Sequence, residues 1–438
     1  MSCFVLSPVF GVYSVLASEK DCLAHSSTIE TKLQCLPEIH FKKASSSKLP
    51  KGLQGFDLTV TQPIDHRYPN GEKFHQHLFL LHRDTNRPVV LSTDGYTLGY
   101  KEDTQISERF LTNLVKVEHR FFGNSVPSPL DVRYLNIRQS AADFHRITVL
   151  LKKIYTHHWV GTGASKGGMA SIYHHYYYPN DVDGTLAIVA PNFYNPKDQR
   201  SIQFLKHVGG DRYRTCRKNL SLLQQDLLKN RHLYLSLMKE SEYQYIGKSA
   251  AFEHTVIYLP FRFWAVTSPE DPKYGCSAIP LNGTAAEKFD FLSQNAIIEW
   301  QADAHLKETW PYYYQVMTEV GFADQYTAHF EPFRLFDFSI ALYVPNFIKL
   351  PAFSAKISRE VDHWVRAKAK NLLMLYGEYD PMSAAAFRPP QSRQAQMVAS
   401  LFVKGNNHLT DLKSLKGTQK RLTFTWLKRW LGLNSHQP

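Results

Sequence analysis

The 438-residue chain lacks long hydrophobic runs, and no segment reaches the ~18 apolar residues that a membrane-spanning helix needs. It also has no internal repeat, no low-complexity array and no basic arm. Its 51 Lys and Arg residues are scattered, so the net charge of +12 does not indicate nucleic-acid binding. A chain of this length with 43% hydrophobic residues suits one large domain with an insertion, or two domains.

Cysteine is scarce, and none of the five cysteines lies in a C-x-x-C or Cys/His spacing typical of a zinc site. We therefore expect no metal ion. If Cys3 is removed with a leader peptide, then Cys22, Cys35, Cys216 and Cys276 remain, an even number that two disulfides would consume. Sequence proximity favours Cys22–Cys35 and Cys216–Cys276, although four cysteines allow three pairings.

The N-terminus lacks Lys or Arg before Phe4, where a secretory signal usually carries positive charge. The mostly apolar run 4–16 and the small residue Ala17 nevertheless predict a signal peptide over residues 1–17, cut before Ser18. A buried N-terminal strand is the alternative. Export predicts a secreted or periplasmic protein, which agrees with paired cysteines.

Strand-like segments alternate with helical ones at both ends of the chain. Apolar runs bounded by turn residues predict strands at 56–60, 77–81, 88–93, 113–117, 184–189, 371–376 and 400–404. Apolar residues at helical spacing predict a helix over 140–155. This alternation predicts an α/β protein with a mainly parallel sheet and helices on both faces.

The alternation stops in the middle of the chain. From about residue 195 to 343 the sequence becomes helical, aromatic and polar, with helical segments such as 220–238 and 302–317, the latter interrupted at Pro311. We therefore predict an α/β core made of residues 18–194 and 344–438. A helical cap over residues 195–343 would interrupt this core.

A G-x-S-x-G pentapeptide at residues 163–167 follows one predicted strand and opens a predicted helix. On such a turn the central Ser165 stands in a strained elbow with its hydroxyl exposed above the sheet. An α/β-hydrolase presents its triad in the order Ser, Asp or Glu, His, each from a loop beyond a strand. Asp380 follows the run 371–376, and His408 follows the run 400–404.

This constellation predicts acyl-transfer chemistry. Ser165 would be the nucleophile, His408 its general base and Asp380 the residue that orients the histidine. The oxyanion requires preorganised donors. The backbone N–H of Lys166 is one, and Gly95 or Tyr96 in the loop after the strand 88–93 would supply the second.

Simpler interpretations stay open for each member. Ser165 would also suit an ordinary turn, and Asp380 an Asp-Pro turn with Glu378 or another acid as the orienting group. Most of the 20 histidines are expected at the surface or hydrogen-bonded in the core, and His408 stands out by its position. An esterase or lipase would use the same triad, whereas a binding protein on this scaffold would be expected to lose one of its members.

Several segments resemble the secreted prolyl tripeptidyl aminopeptidase family of bacterial serine peptidases. They are VEHRFFG at 117–123, LNIRQ at 135–139, GTGASKGGM at 161–169, YPNDVDG at 178–184, VAPN at 189–192 and GEYDP at 377–381. The lysosomal prolyl carboxypeptidase and dipeptidyl peptidase group is more distantly similar. The resemblance runs from about residue 55 to the C-terminus, and Ser165, Asp380 and His408 match the family triad by position.

The resemblance implies an α/β-hydrolase core, a helical cap and no metal or cofactor. It also implies peptide substrates, from whose free N-termini short peptides, tripeptides among them, are released, often after proline. An exopeptidase needs an acidic side chain to hold the substrate ammonium. Glu319 is our first candidate, because the lysosomal relatives have a similar cap segment, and Asp94 and Glu118 are weaker ones. Met382 departs from the aromatic residue expected after Asp-Pro. The oligomeric state is not indicated.

Overall fold

The computed structural model describes residues 19–44, 49, 53–99 and 102–433. Within these ranges, nine strands form one sheet in the order β1-β2-β3-β5-β4-β6-β7-β8-β9. The strands are β1 (Ile39–Lys43), β2 (Gln54–Pro63), β3 (Lys73–His82), β4 (Val89–Thr93), β5 (Asn113–Val117), β6 (Trp159–Ala164), β7 (Gly184–Ile188), β8 (Leu372–Gly377) and β9 (Val398–Val403).

The sheet is antiparallel at its first edge and parallel beyond it. Strands β1, β2, β3 and β5 pair antiparallel, whereas every pairing from β5 through β4 and β6 to β9 is parallel. Parallel pairing places the carboxyl ends of β6, β8 and β9 at one edge, where ligands bind in open α/β sheets. This arrangement is the predicted α/β-hydrolase fold with a mainly parallel sheet.

Both faces of the sheet are buried, because successive strand residues enter two different hydrophobic clusters. Leu78, Leu80 and Leu91 pack with Phe144 and Trp159 on one face. The alternate residues Phe79, Leu81 and Val90 pack with Ile106 and Trp426 on the other. Alternation of this kind follows from the two-residue repeat of a strand, and helices on both faces cover a parallel sheet.

After a short helical segment at residues 19–25, the α-helices of the described chain surround the sheet or lie beyond it. They are α1 (Ile29–Gln34), α2 (Gln105–Phe110), α3 (Ile137–Lys152), α4 (Lys166–Tyr177), α5 (Arg200–His207), α6 (Arg214–Lys229), α7 (Arg231–Leu235), α8 (Lys248–Val266), α9 (Ala285–Ala296), α10 (Asp303–Gln315), α11 (Lys356–Ala367) and α12 (Gly417–Trp430). None of the helices in the described ranges is long and apolar enough to cross a membrane.

Helices α5 to α10 lie between β7 and β8 and have a hydrophobic cluster of their own. Residues such as Leu223, Phe252, Phe263 and Phe291 form it. The helix predicted over 302–317 is not interrupted at Pro311. Helix α10 continues past this buried proline, which removes only one backbone hydrogen bond, and runs into a π-helical turn at Val316–Val320.

The two disulfides join Cys22 to Cys35 and Cys216 to Cys276, the pairing that sequence proximity favours. Strand β1 was not among the predicted strands, because its sequence IHFKK has polar residues at most positions and it lies at the sheet edge. The predicted signal peptide, residues 1–17, lies outside the described residues.

Candidate active site

Ser165 stands between β6 and α4 in a backbone conformation that L-residues rarely adopt, with φ 54° and ψ −123°. Two glycines permit this elbow. A Cβ on Gly163 would lie 2.4 Å from the carbonyl group of Gly167, and a Cβ on Gly167 would lie 2.3 Å from the oxygen of Thr93. Neither contact is sterically possible, so both positions require glycine at the close approach of strand and helix.

The structure brings the three predicted triad residues together. His408 Nε2 lies 2.9 Å from Ser165 Oγ, and His408 Nδ1 lies 2.7 Å from Asp380 Oδ2. Asp380 is fully buried, whereas the His408 side chain is 18% exposed. In this geometry the imidazole can accept the hydroxyl proton while the carboxylate holds the opposite ring nitrogen.

Backbone contacts fix the acid and the histidine in place. The second carboxylate oxygen of Asp380 accepts a hydrogen bond from the Met382 N–H at 2.9 Å. The His408 N–H donates to the carbonyl oxygen of Ala265 at the end of α8, 2.8 Å away. Glu378, the alternative orienting acid, is exposed and accepts from the Gly405 N–H instead.

The loop after β4 lies against the first turn of α4. A Cβ on Gly95 would lie 2.7 Å from the Gly167 nitrogen and from Lys166 Cβ. Tyr96 lines the same cavity as Ser165, and its ring meets Phe122 edge-on with centroids 5.6 Å apart. The structure therefore brings Lys166, Gly95 and Tyr96, the predicted oxyanion donors, to one place beside Ser165.

A cavity of about 490 Å³ opens above Ser165 and His408. Its size falls in the range of small-ligand sites, ~300–1,000 Å³. Its wall is largely aromatic and comes mainly from the region between β7 and β8: Tyr258, Phe261, Trp300, Tyr312, Tyr313, Phe322, Phe338 and Tyr343. Thus a reacting group on Ser165 meets a largely apolar cavity.

The carboxylates expected to hold a substrate amine lie elsewhere, because none of the three lines this cavity. Glu319 Oε1 accepts the Ile137 N–H at 2.6 Å. Asp94 accepts the Gly99 N–H at 3.1 Å. Glu118 accepts the N–H of Leu98 at 2.8 Å and also binds Asn124 and Ser125. Asp94 and Glu118 therefore brace the loop that follows β4.

Two charged residues that do line the cavity, Arg262 and Glu308, were not predicted. The Arg262 guanidinium lies over the Trp300 ring, 4.7 Å from its centroid. Glu308 is exposed and is the one carboxylate among the described residues that line the cavity. Burial lowers the pKa of His305, one turn before Glu308, and the negative charge of Glu308 opposes this shift. In the sequence, Glu308 has the pattern of any solvated helix residue.

The region described here offers no group of three or more His, Cys, Asp or Glu side chains that could hold a metal ion. The chemistry that the site can perform with its own groups is nucleophilic attack by a hydroxyl activated by imidazole.

Residues 25–437 match the family described as PS-10 peptidase S37. The chain is 30% identical to prolyl tri/tetrapeptidyl aminopeptidase from Streptomyces mobaraensis, over 98% of this chain and 90% of that protein. It is 31% identical to prolyl carboxy peptidase like protein 5 of Caenorhabditis elegans over 30% of each chain. It is also 36% identical to lysosomal Pro-X carboxypeptidase of Bos taurus, over 20% of this chain and 19% of that protein.

The family match spans nearly all of the described chain, and it includes the elbow, the loop after β8 and the loop after β9. The chain belongs to the peptidase S37 family and is a serine peptidase.

Proposed function

We propose that this serine peptidase is an aminopeptidase that releases short peptides, tripeptides among them, from free N-termini, with a preference for cleavage after proline. The observation that carries this proposal is the contact between His408 Nε2 and Ser165 Oγ, 2.9 Å long, at the floor of the aromatic cavity. The Streptomyces relative with a prolyl tri/tetrapeptidyl aminopeptidase name supports it.

In the proposed reaction, Ser165 Oγ attacks the substrate carbonyl carbon while His408 Nε2 takes the hydroxyl proton. Asp380 stabilises the imidazolium that forms, and the N–H groups of Lys166 and of the Gly95–Tyr96 loop bind the oxyanion. His408 then gives the proton to the leaving amine. Water then attacks the ester carbonyl of the acyl-enzyme while His408 takes a proton from it. The ester bond breaks, Ser165 Oγ receives that proton, and the short peptide leaves with a free carboxylate.

The cavity explains the proposed substrate class. Aromatic walls favour the pyrrolidine ring of proline, which buries apolar surface and has no N–H that needs an acceptor. We assign the role of amine anchor to Glu308, because it is the one carboxylate among the described residues that line the cavity. An ammonium group bound there would place the first substrate residues inside the cavity.

We further propose that residues 195–343 act as the cap that limits which substrates reach Ser165. The support is that most of the aromatic wall belongs to this region, whereas Ser165 and His408 belong to the sheet loops. A cap that encloses the N-terminal end of a peptide excludes the middle of a long chain.

We also propose that the protein is exported and processed before Ser18. The two disulfides support this, since disulfides persist in oxidising compartments. N-terminal sequencing of the protein recovered from culture medium and from periplasm tests the proposal. A mature N-terminus at Ser18 supports export, and an intact Met1 found only inside the cell contradicts it.

A substrate panel tests the proposed activity. It comprises chromogenic Xaa-Xaa-Pro, Xaa-Pro and Pro derivatives, the same compounds with acetylated N-termini, and esters of short and long chain acids. We expect the free Xaa-Xaa-Pro compound to have the highest kcat/KM. Equal cleavage of blocked and free peptides would exclude an aminopeptidase, and faster cleavage of long-chain esters would indicate a lipase instead.

A further inference from the structure

The side chain of Lys166 has no part in the reaction described above, although it directly follows Ser165. Lys166 is buried, with 5% of its surface exposed, and its Nζ donates a hydrogen bond to the carbonyl oxygen of Gly95. Nζ also lies 4.4 Å from the ring centroid of Phe122 and 5.0 Å from that of Tyr96. Burying an amine is costly unless it is compensated, so these contacts are not incidental.

The Gly95 carbonyl and the Tyr96 N–H belong to the same peptide group. Because that group is planar and trans, the N–H points away from the carbonyl, and a bond that fixes the oxygen also fixes the direction of the N–H. A hydrogen bond to the oxygen polarises the amide as well, which strengthens the N–H as a hydrogen-bond donor.

The following carbonyl in this loop is also held. The His119 N–H donates to the Tyr96 oxygen at 3.1 Å. Lys166 supplies a tether from α4, the helix that carries the first predicted oxyanion donor. The two donors would therefore keep a constant separation, set by one side chain.

Glu319 lies close enough to this buried amine for the two groups to interact electrostatically. Burial raises the pKa of Glu319 to about 8, opposed by the hydrogen bond from Ile137 and by the charge of Lys166. Burial likewise lowers the pKa of Lys166, and Glu319 opposes that shift. Burial dominates both shifts, so the neutral amine and the neutral carboxyl are favoured. A neutral amine still donates its hydrogen bond to the Gly95 carbonyl oxygen.

We propose that the Lys166 side chain is a positioning residue of the oxyanion hole: by holding the Gly95 carbonyl, it aims the Tyr96 N–H at the oxygen on which negative charge develops. The proposal rests on the proposed function. Preorganised donors act mainly on the transition state, so losing this alignment should lower kcat and leave substrate binding almost unchanged.

Lys166→Met tests this, because methionine keeps an unbranched stem and removes the donor. Loss of a whole oxyanion donor costs about 100-fold to 1,000-fold in kcat, and loss of alignment alone should cost about 10-fold to 100-fold. We expect KM with the preferred peptide to change less than about twofold, and the affinity for a peptide aldehyde, which forms an oxyanion on the serine, to fall in proportion to kcat. Lys229→Met, at an exposed position, is the control and should match the wild type.

Wild-type kcat in a folded Lys166→Met variant, or a rise in KM alone, would overturn the proposal. If that variant does not fold, Lys166→Gln takes its place. Its amide donor stands on a shorter stem and reaches the Gly95 carbonyl less well, so kcat should fall by about threefold to tenfold, and an unchanged kcat would overturn the proposal. Ser165→Ala separates the two proposals. Activity retained in Ser165→Ala contradicts the proposed function, whereas wild-type kcat in the lysine variant contradicts only the role of Lys166.

Discussion

His408 Nδ1 lies 2.7 Å from Asp380 Oδ2, although the two residues belong to loops that follow different strands. Strands β8 and β9 are parallel neighbours, so their carboxyl ends deliver both loops to the same edge of the sheet. The backbones of the two loops also approach closely. A Cβ on Gly377, the last residue of β8, would lie only 2.2 Å from the oxygen of Asn407, the residue before His408. The end of one strand is thus packed directly against the histidine loop.

This contact predicts the effect of Asp380→Asn. An amide in place of the carboxylate favours the wrong histidine tautomer and cannot stabilise the imidazolium, so kcat should fall by about 10⁴-fold with little change in KM. Steady-state kinetics with the preferred peptide measure this. Glu378→Gln, which alters the exposed neighbouring acid, is the matched control and should keep kcat within about twofold, because Glu378 binds Gly405 rather than His408.

Glu308→Gln tests the amine anchor. Removing the charge should raise KM about fivefold for peptides with a free N-terminus, because an exposed ion pair of this kind contributes roughly 1 kcal/mol. The KM of acetylated peptides should stay the same. Glu299→Gln serves as the control, since Glu299 is exposed and does not line the cavity. An equal effect on free and acetylated substrates would remove Glu308 from this role.

The three predicted triad residues could be located from the sequence because each has a local signature. Ser165 lies between the two glycines of the pentapeptide, and Asp380 and His408 each follow a strongly apolar strand. The one further assumption was that these strands run parallel in one sheet. In a parallel sheet the loops that follow the strands lie at the same edge, and this brings the three residues together.

The proposed amine anchor, Glu308, has no such signature. Which carboxylate borders the cavity depends on how α10 lies over the sheet, and that packing is decided by contacts distant in sequence. Glu319 was favoured from its segment alone, yet its carboxylate binds the Ile137 N–H at the start of α3. Glu308 is about three turns earlier on the same helical stretch of α10 and the π-turn, and it borders the cavity instead.

Acid stability should depend on His175. Burial against Trp364 lowers the pKa of this histidine to about 3, and its Nδ1 has no hydrogen-bond partner among the described residues. The unfolded chain therefore binds a proton that the fold does not bind between about pH 6.5 and pH 3. Its contribution to stability is complete above pH 6.5 and decreases by a few kcal/mol, on the order of 1.4 per pH unit, as the pH falls towards 3.

His175→Phe, which removes the titrating group, should shift the acid unfolding midpoint to lower pH, followed by circular dichroism. His157→Phe at an exposed position should leave the midpoint unchanged. If His175→Phe unfolds at the wild-type pH, proton uptake by His175 does not govern acid unfolding.

The two disulfides should differ in their contribution to stability. Cys216–Cys276 closes a loop with a sequence separation of 60, and Cys22–Cys35 one of 13. Loop-closure entropy predicts that removing the first costs about 4 kcal/mol and removing the second about 3 kcal/mol. Paired Cys→Ala substitutions and urea unfolding measure both values. A larger loss for the Cys22–Cys35 pair would show that native contacts, not loop length, decide the order.

The central claim is that Ser165, activated by His408, is the nucleophile. A serine-directed fluorophosphonate, followed by mass spectrometry of the digested protein, tests it most directly. We predict a single adduct on Ser165, formed in proportion to the loss of peptidase activity. The Ser165→Ala variant should form no adduct, and the His408→Gln variant should form it at a greatly reduced rate. An adduct on another residue that abolishes activity, or full activity with Ser165 modified, would contradict the claim.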